Sequence, residues 1–150
     1  MKTLFALFAL SAFAVAIPAK RVTNRYYPDG SGSSKEQDPD KRESVETFYG
    51  PGGKMTHKVI CQLDERLQPV SALFYDPKGR IYQKSAYRLD GEDRIVQEVI
   101  YDAKGNLLCT KNYNYGTRGG SSTVIDVDTY DSNGNLIQTP KRSGTTRKSK

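Results

Sequence analysis

The sequence predicts an all-β fold, an antiparallel up-and-down meander of about eight strands with flexible termini. Two observations predict it: a turn motif that recurs along the chain, and apolar and polar side chains that alternate between turns. We expect no helix to cover such a sheet, so it should close into a small barrel, remain a strongly curled open sheet, or pair with a second copy. The expected strands span about 44–49, 54–63, 66–75, 80–89, 94–101, 106–115, 122–130 and 135–139.

The composition narrows the class of protein. The 150 residues are 36% hydrophobic and 27% charged, with 13 Gly, 10 Tyr and no Trp. These values exclude a collagen, a coiled coil and a polytopic membrane protein. They also argue against a doubly wound α/β enzyme, because its buried parallel strands need more aliphatic residues.

The N-terminus is typical of a secretory signal peptide. Lys2 precedes an apolar stretch, Leu4 to Ala16, that only Ser11 interrupts. These residues fall short of the ~20 needed to span a bilayer, so we expect no membrane span. Cleavage after Ala16 or after Ala19 fits, which makes 1–16 the signal peptide and the mature protein secreted or periplasmic. A buried N-terminal helix is the alternative interpretation.

Both ends of the mature chain are predicted to be flexible. Residues 17–43 are rich in Ser, Gly, Asp and Pro, and residues 140–150 form a basic tail without an acid, which leaves 44–139 as the folded domain. Such a tail can attach to an anionic polymer or a cell surface, but a disordered tail that only serves solubility is the favoured interpretation. Its basic residues are Lys141, Arg142, Arg147, Lys148 and Lys150.

A turn motif occurs at 75–81, 101–107 and 130–136, with a looser copy at 49–55. An aspartate at the first turn position caps the backbone, and a glycine three residues later supplies a positive φ. The motif therefore predicts a three-residue hairpin loop, a type I turn closed by a glycine bulge. The turn positions are Asp76, Gly79, Asp102, Gly105, Asp131 and Gly134, and weaker turns are expected at 63–67, 89–95 and 115–120.

Alternation across the turns predicts one buried apolar face and one solvent face. The buried face is expected to hold Met55, Val59, Cys61, Leu63, Leu67, Leu73, Tyr75, Ile81, Tyr87, Leu89, Ile95, Val99, Tyr101, Leu107, Cys109, Tyr113 and Tyr115. The solvent face is expected to hold Lys58, Arg80, Lys84, Arg88 and Arg94, with Tyr82 and Glu98. Basic residues near an aromatic can bind an acidic glycan or nucleic acid. An ordinary solvated face is the favoured interpretation, and we expect no nucleic-acid partner.

The three turn segments resemble the YD repeats of Rhs-type and teneurin-type proteins. The segments Tyr26-Tyr27-Pro28-Asp29-Gly30 and Phe48 to Met55 are also similar to variant MORN repeats of secreted bacterial proteins. The resemblance covers roughly residues 45–137. It implies an extracellular β-repeat scaffold with no catalytic residues to transfer.

The two cysteines, Cys61 and Cys109, leave two interpretations open. An exported chain favours a disulfide. The strand assignment places the two residues near opposite ends of the sheet, about 20 Å apart, whereas a disulfide needs Cα atoms within about 7 Å. Two buried free thiols are therefore the favoured prediction.

Other candidate sites have structural interpretations. His57 is the only histidine and lies about 13 Å along its strand from Cys61, too far for a nucleophilic pair, so we expect it to pack. The residues Asp126, Asp128, Asp131 and Asn133 suggest calcium, but an EF-hand loop starting at Asp131 would need a glutamate where Arg142 stands. We expect a bulge in this strand, because Asp126 and Asp128 would otherwise face inward.

We expect neither a cofactor nor a metal, and no catalytic motif such as Gly-x-Ser-x-Gly is present. The favoured function is an exported non-enzymatic β-repeat module with a binding or structural role, acting on a cell-surface polymer or a protein. One alternative is a small hydrolase or hydrolase inhibitor that uses Gln83, Gln97 and Lys111 on the predicted buried face. The other is attachment through the basic tail.

Overall fold

Ten β-strands make up the fold in the computed structural model, which describes residues 19–118 and 121–138. They form one antiparallel sheet in which each strand lies beside its neighbours in the chain. The all-β meander is thus confirmed, with ten strands rather than eight. The strands are β1 (Arg21–Tyr26), β2 (Gly32–Asp38), β3 (Glu43–Tyr49), β4 (Met55–Leu63), β5 (Pro69–Tyr75), β6 (Ile81–Leu89), β7 (Ile95–Asp102), β8 (Leu107–Arg118), β9 (Ser121–Asp131) and β10 (Leu136–Gln138).

The two additional strands, β1 and β2, lie in the segment expected to be a flexible leader. They form a hairpin around Tyr27–Ser31, where Gly30 has a φ of 84°. The prediction of flexibility over 17–43 is therefore wrong for these strands. The side chains of β1 are all exposed, so the segment carries no apolar periodicity, and pairing through the backbone leaves no trace in its composition.

The sheet is open, so of the alternatives expected from the sequence the open sheet is confirmed and the closed barrel is wrong. Its edges are β1 and β10, which do not pair with each other in the part of the chain that the structure describes. Closure into a barrel would require backbone hydrogen bonds that join these two edge strands. The predicted signal peptide at 1–16 and the basic tail at 140–150 lie outside the described residues.

A β-bulge interrupts every hairpin from β3–β4 to β9–β10, and in each of them except β8–β9 it comes directly after the turn. In the β5–β6 hairpin, for example, Tyr75 pairs with Ile81 but Phe74 pairs with Gln83, so Tyr82 is an extra residue. The three-residue loop does not change which of the odd- and even-numbered side chains lie on each face. The bulge then shifts this alternation by one residue. The extra residues are Thr56, Val70, Tyr82, Val96, Leu108, Ile125 and Ile137.

The bulges redistribute the side chains that alternation had assigned to one face. We call the face that carries Cys61 the inner face and the opposite one the outer face. Register partners put Glu98 on the inner face with Cys61, whereas Leu73 and Tyr101 lie on the outer face. The prediction of one apolar face and one charged face is therefore wrong, because it assumed a single alternation across the turns.

Few side chains of the described residues are buried, as expected of a single-layer sheet. The buried apolar residues are Leu63, Ala72 and Ile100, and the buried polar residues are Ser44, Ser85 and Glu98. All six lie on the inner face. One face thus shelters its side chains without a second layer, which requires the sheet to curl around it. Bulges favour such curling because they bend strands and increase their twist.

Contacts between turns stabilise one end of the sheet, the end that carries the β4–β5, β6–β7 and β8–β9 connections. Arg66 in the first of these turns forms a 2.7 Å ion pair with Asp93 in the second. Arg94 in the second donates a 2.9 Å hydrogen bond from Nη1 to Ser122 Oγ in β9. We call this the linked-turn end. Among the described residues, no helix is long and apolar enough to cross a membrane.

Candidate functional site

The predicted turn residues form a repeated hydrogen-bonded unit. In the first copy, Gly79 N–H donates to the Asp76 carbonyl at 3.0 Å and Asp76 N–H donates to the Arg80 carbonyl at 2.9 Å. Gly79 has a φ of 77°, so this is the predicted type I turn with a glycine bulge. The same two backbone bonds close turns that begin at Tyr27, Gly50, Asp64, Asp76, Asp90, Asp102 and Asp131.

The aspartate carboxylate organises each full copy of this turn. Oδ1 of Asp76 accepts hydrogen bonds from the N–H groups of Lys78 and Arg80 at 2.8 and 2.9 Å, and its Oδ2 accepts one from Arg80 Nε at 2.7 Å. The backbone bond from Arg80 is the main cause that holds the pKa of Asp76 below its usual value. The backbone bond from Arg94 is the main cause that lowers the pKa of Asp90. Side-chain hydrogen bonds from Asn106 and Asn135 are the main causes that lower the pKa values of Asp102 and Asp131.

The predicted basic face does not form a single patch. Lys58, Lys84 and Arg88 lie on the outer face, where Lys58 Nζ is 5.1 Å from the centre of the Tyr75 ring. Arg80 lies in the β5–β6 turn, at the opposite end of the sheet from Arg94. Each of these arginines forms an ion pair with the aspartate that begins its turn, Arg80 with Asp76 and Arg94 with Asp90. The Nη2–Oδ2 distance is 2.7 Å in both pairs.

A buried carboxylate, Glu98, lies at the centre of the inner face and is 8% exposed. Ser85 Oγ donates a 2.9 Å hydrogen bond to its Oε1, and Tyr113 OH donates a 2.8 Å bond to its Oε2. Lys111 Nζ lies 4.0 Å from Oε2. Strands β6, β7 and β8 position these groups through direct register pairing of Glu98 with Tyr87 and Lys111. The charge of Glu98 is therefore stabilised by two hydroxyl donors and a nearby ammonium.

Tyr87 connects this buried carboxylate to a cleft on the inner face. Burial, reinforced by the charge of Glu98, raises the pKa of Tyr87 to about 12. Burial also raises the pKa of the Cys61 thiol. Both groups are thus neutral hydrogen-bond donors at neutral pH, and Cys61 is a poor nucleophile because its reactive thiolate form is disfavoured.

The cleft has a volume of about 370 Å³ and lies at the linked-turn end. Its wall draws on six consecutive strands, β2 to β7, which a flat sheet could not bring around one cavity. The polar lining residues are Lys35, Gln37, Ser44, Cys61, Gln68 and Tyr87. The apolar lining residues are Leu63, Leu67, Pro69 and Ile95.

His57 packs as expected, on the inner face of β4. Its ring stacks on Phe48 with centroids 4.2 Å apart and an angle of 10° between the ring planes. Its Nδ1 lies 3.1 Å from Thr56 Oγ1. No group of three or more His, Cys, Asp or Glu side chains suited to a metal occurs in the described part of the chain.

The acidic residues considered for calcium, and the hydrolase candidates, lie on both faces of the sheet. The bulge expected in β9 lies at Ile125, and Asp128 accepts a 3.1 Å hydrogen bond from Asn114 Nδ2 on the outer face. Gln83 and Lys111 lie on the inner face, but Gln97 lies on the outer face and donates a 3.0 Å bond to Asn112 Oδ1. The structure therefore does not bring the three hydrolase candidates together.

The comparisons with known proteins leave the chain without an assigned family. No protein-family model and no curated protein sequence matches it. Among solved structures it is similar to TarM, with a TM-score of 0.36 and 15% identity over 79% of this chain and 21% of that chain. A mutant of S. aureus TarM in complex with fondaparinux, alpha-GlcNAc-glycerol and UDP gives a TM-score of 0.36 and 16% identity over the same shares. The chain spans about a fifth of those chains, and a likeness this low carries no argument. The resemblance to YD and MORN repeats stays a prediction.

Proposed function

We propose that this protein is an exported, non-enzymatic β-repeat module that binds a small ligand in the inner-face cleft. The observation that carries the proposal is the convergence of polar donors and an apolar wall from six strands on one cleft of about 370 Å³. Ligand sites of small molecules are cavities of about 300–1,000 Å³ in which apolar surface is combined with polar groups that orient the ligand, and this cleft has that size and both kinds of surface.

The chemistry of the cleft favours binding over catalysis. A thiol nucleophile needs a lowered pKa or an adjacent base, whereas burial raises the pKa of Cys61. The imidazole of His57 is four residues away along β4, about 13 Å, and stacks on Phe48 instead. The groups available in the cleft can orient a ligand through hydrogen bonds without reacting with it.

Cys61 provides a reporter of cleft occupancy, and Cys109 provides its matched control. Both lie on the inner face, but only Cys61 lines the cleft. A Cys109→Ser variant leaves the reporter thiol alone, and a Cys61→Ser variant leaves the control thiol alone. Rates of iodoacetamide labelling are measured with pools of small acids, amines, sugars and neutral aromatics.

We expect at least one pool to slow the labelling of Cys61 several-fold and to leave the labelling of Cys109 unchanged. Equal effects on both thiols, or no effect of any pool on Cys61, would contradict the proposal. Export is tested separately by the mass of the protein recovered outside the cytoplasm. A mass that corresponds to cleavage after Ala16 or Ala19 supports export, and an uncleaved chain argues against it.

A further inference from the structure

We propose that the cleft binds a small amphipathic organic anion, with its carboxylate at Lys35 and its apolar body against Leu63 and Ile95. This inference rests on the proposed function, since it names the ligand class of the same cleft. It depends on how charge, hydrogen-bond donors and apolar surface are distributed around the cavity.

The lining of the cleft is divided between two kinds of surface. Leu63, Leu67, Pro69 and Ile95 come from the β4–β5 connection and the start of β7, so the apolar part lies at the linked-turn end. Most of the polar part comes from β2, β3, β4 and β6, and Gln68 adds one polar side chain from the β4–β5 connection. A ligand with one polar end and one apolar end satisfies both parts at once, whereas a wholly polar ligand leaves the apolar wall uncovered.

The sign of the charge at the polar part is positive. Among the described residues, Lys35 is the only charged one that lines the cleft. The hydroxyl groups of Ser44 and Tyr87 are donors, and burial keeps the phenol of Tyr87 protonated at neutral pH. An ammonium and nearby hydroxyl donors stabilise an anion and disfavour a cation.

Glu46 is the acidic group that competes for Lys35. The two residues are register partners on β2 and β3 and share the inner face, with Thr23 as the partner of Lys35 on β1. Among the ion pairs within 4.0 Å that join the described residues, none involves Lys35. The ammonium therefore remains available to a ligand, and removal of the Glu46 charge should strengthen its effect.

The test uses three probes that share a ten-carbon chain and differ in the head group: decanoate, decan-1-ol and decyltrimethylammonium. Binding is measured by titration calorimetry below the micellar concentration and by protection of Cys61 from iodoacetamide in the Cys109→Ser variant. We expect decanoate to bind at least tenfold more tightly than decan-1-ol. We expect decyltrimethylammonium to bind most weakly.

Three variants assign the charge effect. Lys35→Met should weaken decanoate binding about tenfold and leave decan-1-ol binding unchanged, and Glu46→Gln should strengthen decanoate binding. Lys84→Met, on the outer face, is the matched control and should change neither. Lys35 is exposed and makes none of these ion pairs, so its replacement should leave the circular dichroism spectrum unchanged.

Two outcomes overturn the inference, and they are distinguishable from failure of the proposed function. Equal affinity for decanoate and decan-1-ol, with Cys61 protected by both, shows a cleft that binds by apolar contact alone. Protection by sugars or amines but not by decanoate preserves the binding role and rejects the ligand class. Failure of every probe and every pool to protect Cys61 rejects the proposed function itself.

Discussion

Cys61 and Cys109 lie on one row of register partners, four strands apart on the inner face. The row runs from Cys61 in β4 through Ala72, Ser85 and Ile100 to Cys109 in β8. Four strand spacings correspond to about 19 Å along the sheet, and both thiols are free. The separation expected from the sequence is therefore close in size, but it runs across the strands rather than along them.

This geometry predicts that no disulfide joins the two cysteines, even after export to an oxidising compartment. Alkylation of the unfolded protein without a reductant should add two groups to its mass. Cys61 should react more slowly in the folded protein than in the unfolded protein, because burial raises the pKa of its thiol and lowers the thiolate fraction. A mass that gains alkyl groups only after reduction would show a disulfide and contradict this register.

Glycine at the fourth turn position should be required for stability at Gly79 and Gly105, whose φ angles are 77° and 94°. A Cβ at either position would meet no atom within 4 Å, so the cost of alanine is conformational. We expect Gly79→Ala and Gly105→Ala each to lower the free energy of unfolding by about 1 kcal/mol. Urea denaturation of each variant measures this change in the free energy of unfolding.

Gly91 provides the control for these two substitutions. It also lies in a turn and has no atom within 4 Å of a built Cβ, but its φ lies outside the left-handed region. Gly91→Ala should therefore leave the unfolding midpoint nearly unchanged. Similar losses for all three variants would indicate that the turns do not need a positive φ.

Acid should destabilise the fold through the turn aspartates. Hydrogen bonds lower the folded-state pKa values of Asp76, Asp90, Asp102 and Asp131 below the usual aspartate value. A group with a lowered folded pKa stabilises the protein fully above its unfolded pKa of about 3.9, and this stability is lost as the pH falls through the folded value. The thermal midpoint should thus be nearly constant from pH 7 to about pH 5 and fall below about pH 4.

Replacement of a turn aspartate isolates its share of this pH dependence. Asp102→Asn keeps the size of the side chain but removes its charge and replaces one accepting oxygen with a donating nitrogen. It should therefore lower the midpoint at pH 6 and make the acid decline shallower. Asp40→Asn is the control, because Asp40 is exposed and makes none of the turn hydrogen bonds. An identical acid profile for Asp102→Asn and the unchanged protein would show that this turn does not contribute.

The sequence predicts the turns better than the faces, for a physical reason. An Asp-x-x-Gly loop is specified by local backbone chemistry, so the hairpins at Asp76, Asp102 and Asp131 are where the motif puts them. The turns that begin at Asp64 and Asp90 have the same geometry, but Leu67 and Asp93 stand at the position of positive φ where the motif has glycine. A search for that glycine therefore misses both turns. Only their aspartates identify them.

The faces could not be assigned because each bulge shifts the alternation by one residue. The signal was two adjacent apolar residues at the start of a strand, as in Leu107-Leu108 and Leu136-Ile137. Between Cys61 and Glu98 the extra residues are Val70, Tyr82 and Val96, and counting these three as unpaired moves Glu98 from the solvent face to the inner face. The cleft was beyond prediction because its lining comes from six strands whose approach depends on the curl of the whole sheet.

Tyr113 and Glu98 should be energetically coupled, because the phenol hydroxyl donates a 2.8 Å hydrogen bond to a carboxylate that is nearly removed from water. Hydrogen bonds to charged groups contribute about 1.5–3 kcal/mol, so Tyr113→Phe should lower the free energy of unfolding by an amount in this range. In a Glu98→Gln background the same substitution should cost less, because the acceptor is then uncharged. A double-mutant cycle by urea denaturation measures the difference.

Tyr82→Phe is the control, since Tyr82 is 47% exposed, and it should change stability little in either background. Additive effects of Tyr113→Phe and Glu98→Gln would mean that the hydroxyl does not stabilise the buried charge.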